Sequence, residues 1–96
     1  MKFECDRNKA RANLQKHRMR FTDAGRAIKH NLSLTNPSPQ SDSLREERFV
    51  TVARNPGGRA MVVIWTPRNG NMRIISVRHA RKKEQEAFDA HLKKFQ

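Results

Sequence analysis

Ser76 and Arg78, two residues apart, lie in the run 72–80, and Arg73, Arg81, Lys82 and Lys83 stand within a few positions of them. A guanidinium grips phosphate through paired hydrogen bonds, and a neighbouring hydroxyl can add another. β-Branched Ile74, Ile75 and Val77, just after the turn signal Asn69-Gly70, predict a strand here. Alternation then sends Ile75 and Val77 to one face, and Ser76 and Arg78 to the other. The plainer alternative is a strand whose polar face only meets water. The density of cations around Arg78 favours phosphate binding.

Metal chemistry finds little support in the spacing. His17, His30, His79 and His91 are scattered, with no H-x-x-x-H or C-x-x-C pair to orient ligands on one element. No G-x-x-x-x-G-K cradle and no G-x-S-x-G elbow occurs, so neither a metal nor another cofactor is expected. What remains suits RNA cleavage without a metal. That reaction needs a base for the 2′-hydroxyl, cations for the phosphorane and an acid for the leaving oxygen. An imidazole suits proton transfer near neutral pH, which makes His17 a candidate, but a histidine on the apolar stripe of a helix is more often a packing or capping residue. His79 points away from Arg78 if the strand continues. Glu46 and Glu47 can pair with arginines or act as base, and Glu84 can lock an arginine or face a cleft. Trp65 can stack on a nucleobase, but its place on a central strand favours the core.

The elements that must hold these groups follow in chain order. Residues 3–5 are a candidate strand, and Asp6 is a helix cap. Ala10, Leu14 and His17 form one stripe of the first helix, leaving Arg7, Lys9 and Lys16 as its cationic remainder. Phe21 anchors a second helix with Thr22 as cap and Ala24, Ala27 and Ile28 as stripe. Residues 32–34 suggest a strand, and residues 36–43 an exposed loop. The alternating run 48–54 puts Val50 and Val52 opposite Phe49, Thr51 and Ala53. Residues 55–58 turn the chain, 61–66 read as a central strand apolar on both faces, and 67–71 turn it again. Short loops between these strands imply an antiparallel meander. A last helix from about Arg81 carries Glu84, Phe88, His91, Leu92 and Phe95 on one stripe.

With 96 residues the chain is expected to form one domain, 1–96. Twenty-one Lys and Arg against nine Asp and Glu give a formal charge of +12, which draws polyanions or an acidic protein partner. The lone Cys5 can form no internal disulfide, and the N-terminus has no signal-peptide core. The longest apolar run, 60–65, is too short to span a bilayer. A soluble cytoplasmic protein is expected.

Several of these residues also stand in the order of a known family: Phe3-Glu-Cys-Asp6, Lys9, Asn13-Leu14, Lys16-His17, Phe21, Glu46-Glu47-Arg48-Phe49 and Arg73-Ile-Ile-Ser-Val-Arg78. Together they resemble the BrnT family of bacterial type II toxins, from Phe3 to about Phe88. The resemblance implies an α+β, RelE-like fold, with two N-terminal helices packed on an antiparallel β-sheet and a C-terminal helix. It implies an endoribonuclease that inhibits translation, neutralised by a BrnA-type antitoxin whose ribbon-helix-helix part binds operator DNA. Lys16, His17, Arg48, Arg73, Ser76, Arg78 and Glu84 carry over as site members. Three positions depart from the family pattern: Cys5 replaces a usual Trp, Arg18 the glycine after Lys-His, and Phe88 a common Tyr.

The expectation is therefore a metal-independent ribonuclease toxin. Arg48, Arg73, Ser76 and Arg78 would act at the scissile phosphate, with His17 or a glutamate as base. Lys16, Arg81, Lys82 and Lys83 would hold RNA. The alternatives are a non-catalytic RNA- or DNA-binding module, or an inactive toxin retained in a repressor complex.

Overall fold

Asn69 and Gly70 sit at φ +53° and +77°, the left-handed pair that a two-residue hairpin turn of type I′ requires. They join two nine-residue strands around which the molecule is built. A computed structural model describes residues 3–30, 33–38, 46–54 and 59–94. In order come β1 (Phe3–Cys5), α1 (Arg7–His17), α2 (Phe21–His30), β2 (Ser33–Pro37), β3 (Phe49–Arg54), β4 (Ala60–Arg68), β5 (Asn71–His79) and α3 (Lys82–Lys93). The sheet order is β1-β5-β4-β3-β2. Strands β2 to β5 form the expected antiparallel meander, and β1 joins its edge parallel to β5.

Strand β4 is apolar on both faces because both are covered. Met61 and Val63 pack with Ala53, Ile74 and Val77 beneath Phe21, Ala24 and Ala27. Val62 and Ala60 pack with Val52 and Phe88 on the α3 side. Each such valine or isoleucine, fully buried, contributes roughly 1.5–3 kcal/mol. Trp65 belongs to this framework. Its ring stacks on Phe49 with centroids 4.8 Å apart, and its Nε1 donates to Thr51 Oγ1 at 2.8 Å.

One irregularity changes what β5 presents. Ile64 pairs with Ser76 but Trp65 pairs with Ile74, so Ile75 is an extra residue in a bulge. Alternation is broken there. Ile74 and Val77, three apart, share the core face, and Ile75 does not join Val77 as strict alternation predicts. The same slip brings Arg73 and Arg78, five apart, onto one face, since their partners Thr66 and Val62 are an even number apart on β4.

Helix α1 begins as expected, with Asp6 Oδ1 accepting from the Asn8 and Lys9 amides at 2.7 and 3.2 Å. Its buried residue, however, is Asn13, and Leu14 is 42% exposed. Strand β1 ends opposite Ile74, so the rest of β5's outer edge has no strand beside it. Asn13 supplies the missing acceptor: its Oδ1 takes the Val77 amide proton at 3.0 Å, and its Nδ2 donates to the Met19 carbonyl at 3.0 Å. Leaving such a buried amide unpaired costs about 1–3 kcal/mol, which explains a polar residue on the stripe. Arg18 ends the helix at φ 55°, ψ 34°.

Other expectations shift in detail. Thr22 lies inside α2, which starts at Phe21, and the Ala24 amide donates to the Arg20 carbonyl. Asn36 and Pro37, expected in a loop, extend β2, and Ser38 is buried with its amide donating to the Arg48 carbonyl at 2.8 Å. Leu32, residues 39–45, the turn at 55–58 and Phe95 lie outside the described residues. Among the described residues no helix is long and apolar enough to cross a membrane.

Candidate functional site

Helix α3 covers only part of its face of the sheet. At the uncovered end, alternation puts Thr66 and Arg68 of β4 on the side of Val62, with Arg73 of β5 opposite Thr66. Arg48, just before β3, falls on the side opposite Phe49. The third residue of α1, Lys9, reaches the same place. The result is a cavity of about 430 Å³, lined by Lys9, Glu46, Glu47, Arg48, Thr66, Pro67, Arg68, Arg73 and Ile75. Four cations and two carboxylates thus converge from four stretches of chain. Like charges so gathered favour an anion among them.

The cavity's charges are held to different degrees. Arg48 Nε donates to Glu46 Oε2 at 3.0 Å. Among the described residues Arg73 makes only loose ion pairs, 3.9 Å to Glu4 and 4.0 Å to Asp6. Asp6, accepting the Lys9 and Asn8 amides with Arg73 beside it, has its carboxyl held below the usual range. The Thr66 hydroxyl donates to the Glu47 carbonyl at 2.6 Å, fixing that residue's backbone in the wall. The Glu47 carboxylate has no hydrogen bond or ion pair among the described residues.

Arg78 stands elsewhere on the same face. Four residues of strand separate Val62, its partner, from Thr66, about 13 Å at 3.3 Å per residue. Its Nη1 and Nη2 donate to the two carboxylate oxygens of Glu84, both at 2.8 Å, and Nη1 also reaches the His79 carbonyl at 3.2 Å. Glu84 in addition accepts the Arg81 amide at 2.8 Å, at the start of α3. These bonds push the Arg78 guanidinium's pKa up and the Glu84 carboxyl's down, against the opposing effect of burial. The pair ties α3 to β5, which is the structural role open to Glu84.

The remaining candidates scatter. The Ser76 hydroxyl points to Asn13 Oδ1 at 3.4 Å. His17 closes the far end of α1, about 12 Å along the helix from Lys9. It lies near enough to His79 for its charge, after burial and that of Arg59, to help push the His79 imidazole's pKa down. The His79 Nδ1 is buried without a hydrogen-bond partner among the described residues. Lys16, Arg81, Lys82 and Lys83 are exposed. Of the residues expected at the site, Arg48, Arg73 and the candidate bases Glu46 and Glu47 therefore share the cavity. Lys9, Arg68 and Ile75 are new members of the wall. Arg68's place follows from its spacing to Thr66, whereas Lys9 is brought in by the edge position of α1 and left no local signal of its role.

Comparison with known proteins gives a consistent result. Residues 5–84 match the family described as "Ribonuclease toxin, BrnT, of type II toxin-antitoxin system". The fold matches the crystal structure of the Brucella abortus ribonuclease toxin BrnT with a TM-score of 0.66, at 22% identity, covering 85% of this chain and 99% of that one. No curated protein matches.

Proposed function

The chain belongs to the BrnT family of ribonuclease toxins of type II toxin–antitoxin systems, and from that premise we propose that the cavity beside α3 cuts RNA without a metal ion. The observation that carries the proposal is the convergence of Lys9, Arg48, Arg68 and Arg73 on a space that also holds Glu47. Glu47 takes the proton of a ribose 2′-hydroxyl. The 2′-oxygen then attacks the adjacent phosphorus, and Arg48 and Arg73 carry the growing charge on the phosphoryl oxygens. The bond from phosphorus to the 5′-oxygen breaks, leaving a 2′,3′-cyclic phosphate. Lys9 can give the leaving oxygen its proton, which a guanidinium holds too tightly to give. Four cations supply the charge that a metal would bring, and they repel a divalent ion. Lys16, Arg81, Lys82 and Lys83 add screened attraction for the rest of the strand.

Phe88, which lacks the hydroxyl of the family's tyrosine, is fully enclosed on the α3 side. Its departure therefore removes no group from the cavity, which favours an active toxin over a silent one. A type II toxin has a cognate antitoxin. We assign it the BrnA type, with a ribbon-helix-helix part that carries the complex to operator DNA and a segment that covers the basic cavity.

The test is cleavage of a defined RNA in excess EDTA. Unchanged cutting with cyclic or 3′-phosphate ends is expected. Loss of cutting on chelation, restored by Mg²⁺, would overturn the metal-free mechanism.

A further inference from the structure

A second concave surface lies on the other flank of α1. Lys9 faces the cavity, and Arg11, two residues on, is turned about 200° round the helix. On that side β1, α1 and α2 enclose two adjoining hollows. One, of about 290 Å³, is formed mainly by Phe3, Cys5, Phe21, Gly25 and Ile74. The other, of about 380 Å³, is formed mainly by Cys5, Ala10, Leu14 and Phe21. Sharing Cys5, Phe21 and Thr22, they make one apolar groove. Among the described residues Leu14 is the large hydrophobic side chain left exposed, and it stands in this groove. Arg11 and Arg20 flank one half, and Arg26 and Glu4 flank the other, with the Glu4 carboxylate bonded to Asn71 and paired with Arg73.

Apolar walls and a cationic rim select an occupant. A nucleic acid strand would use the arginines but leave the apolar walls unmatched. A second copy of a +12 chain would bring like charge against them. A protein segment with aliphatic or aromatic anchors between carboxylates satisfies both. Resting on the reading of this chain as a type II toxin, we propose that an acidic amphipathic segment of the cognate antitoxin docks in this groove, as an anchor distinct from whatever covers the catalytic cavity. Its apolar side chains fill the two hollows, and its carboxylates meet Arg11, Arg20 and Arg26. Leu14 is then an interface residue, which accounts for its exposure on a helix whose inward position is taken by Asn13.

The chain carries its own reporter, since Cys5 is its single cysteine, is exposed and lines both hollows. The full-length toxin is treated with N-ethylmaleimide alone and in complex with its antitoxin, and modification of Cys5 is followed by mass spectrometry. In parallel, antitoxin affinity and RNA cleavage are measured for Leu14→Glu, with circular dichroism to verify the fold. Alkylation at least tenfold slower in the complex is expected. Leu14→Glu should bind the antitoxin roughly 30-fold more weakly or worse, as loss of a central apolar anchor does, and should cleave RNA at the wild-type rate. Equal alkylation rates, or unchanged affinity of Leu14→Glu, would overturn the proposal. So would protection produced by a single-stranded RNA oligonucleotide, or by raising the concentration of the chain alone. Failure of the free chain to cut RNA would defeat the ribonuclease reading instead, and the two failures are read in separate assays.

Discussion

Arg73 and Arg78 lie on the same strand and the same face, yet they are held in different ways. Arg78 closes a two-pronged bond on Glu84 at 2.8 Å, with 19% of its side chain exposed. Arg73 leans on two carboxylates at 3.9 and 4.0 Å and lines an open cavity with other cations. The same side chain is a rivet in one place and an available anion binder in the other. What an arginine can do is set by the bonds its guanidinium already makes, a property that sequence motifs do not carry.

The largest effect that can break this contrast is on rate. Arg73→Ala should slow single-turnover cleavage by roughly 10²–10³, as loss of a preorganised charge does. Its ion pairs are long and partly exposed, so thermal unfolding should shift by less than about 1 kcal/mol. Arg78→Ala should behave the other way. It strands the Glu84 carboxylate and should destabilise the fold by about 1–3 kcal/mol in urea unfolding, while the folded fraction keeps cutting. In a double-mutant cycle with Glu84→Ala the two losses should be less than additive, since both remove one interaction.

Acidity sharpens the same division. Burial holds the His79 imidazole's pKa below its usual value near 6.5. Its contribution to stability is therefore complete above that value, and declines as pH falls below it. The Glu84 carboxyl's pKa is lowered by Arg78, so the pair's contribution is complete above about pH 4.5 and is lost as pH falls through the lowered value. Stability measured by denaturant unfolding should thus fall in two stages on acidification, and Arg78→Ala should shrink the lower one, leaving the part that Asp6 contributes. The smallest effect concerns Arg18, held at φ 55°. Arg18→Gly should raise stability by about 0.5–1 kcal/mol with no change in cleavage.

Much of this architecture was legible in the chain. The alternation of β3, the two-sided apolarity of β4 and the Asp6 cap each express a local preference that the tertiary structure keeps. Arg48 and Arg73 were singled out through residue type and family order, and both line the cavity. The rest was hidden for reasons that are not local. A bulge adds one residue at Ile75, and periodicity across it then assigns the wrong face. Asn13 is buried for the sake of one edge amide of β5, a need visible only once β1 is seen to stop at Cys5. Lys9 and Arg68 are 59 positions apart in the sequence and meet because α1 lies along the edge of the sheet.

The central claim is that chemistry occurs in the cavity at the Lys9 end of α1, with Glu47 as base. Single-turnover RNA cleavage by Glu47→Gln, compared with His17→Ala, tests it most directly. Glu47→Gln keeps the shape of the wall and the backbone bond from Thr66, so RNA binding should persist while the rate falls by roughly 10²–10⁴, and His17→Ala should cut within a few-fold of wild type. Wild-type cleavage by Glu47→Gln, together with an inert His17→Ala, would contradict the claim and move the site to the His17–His79 end of the helix.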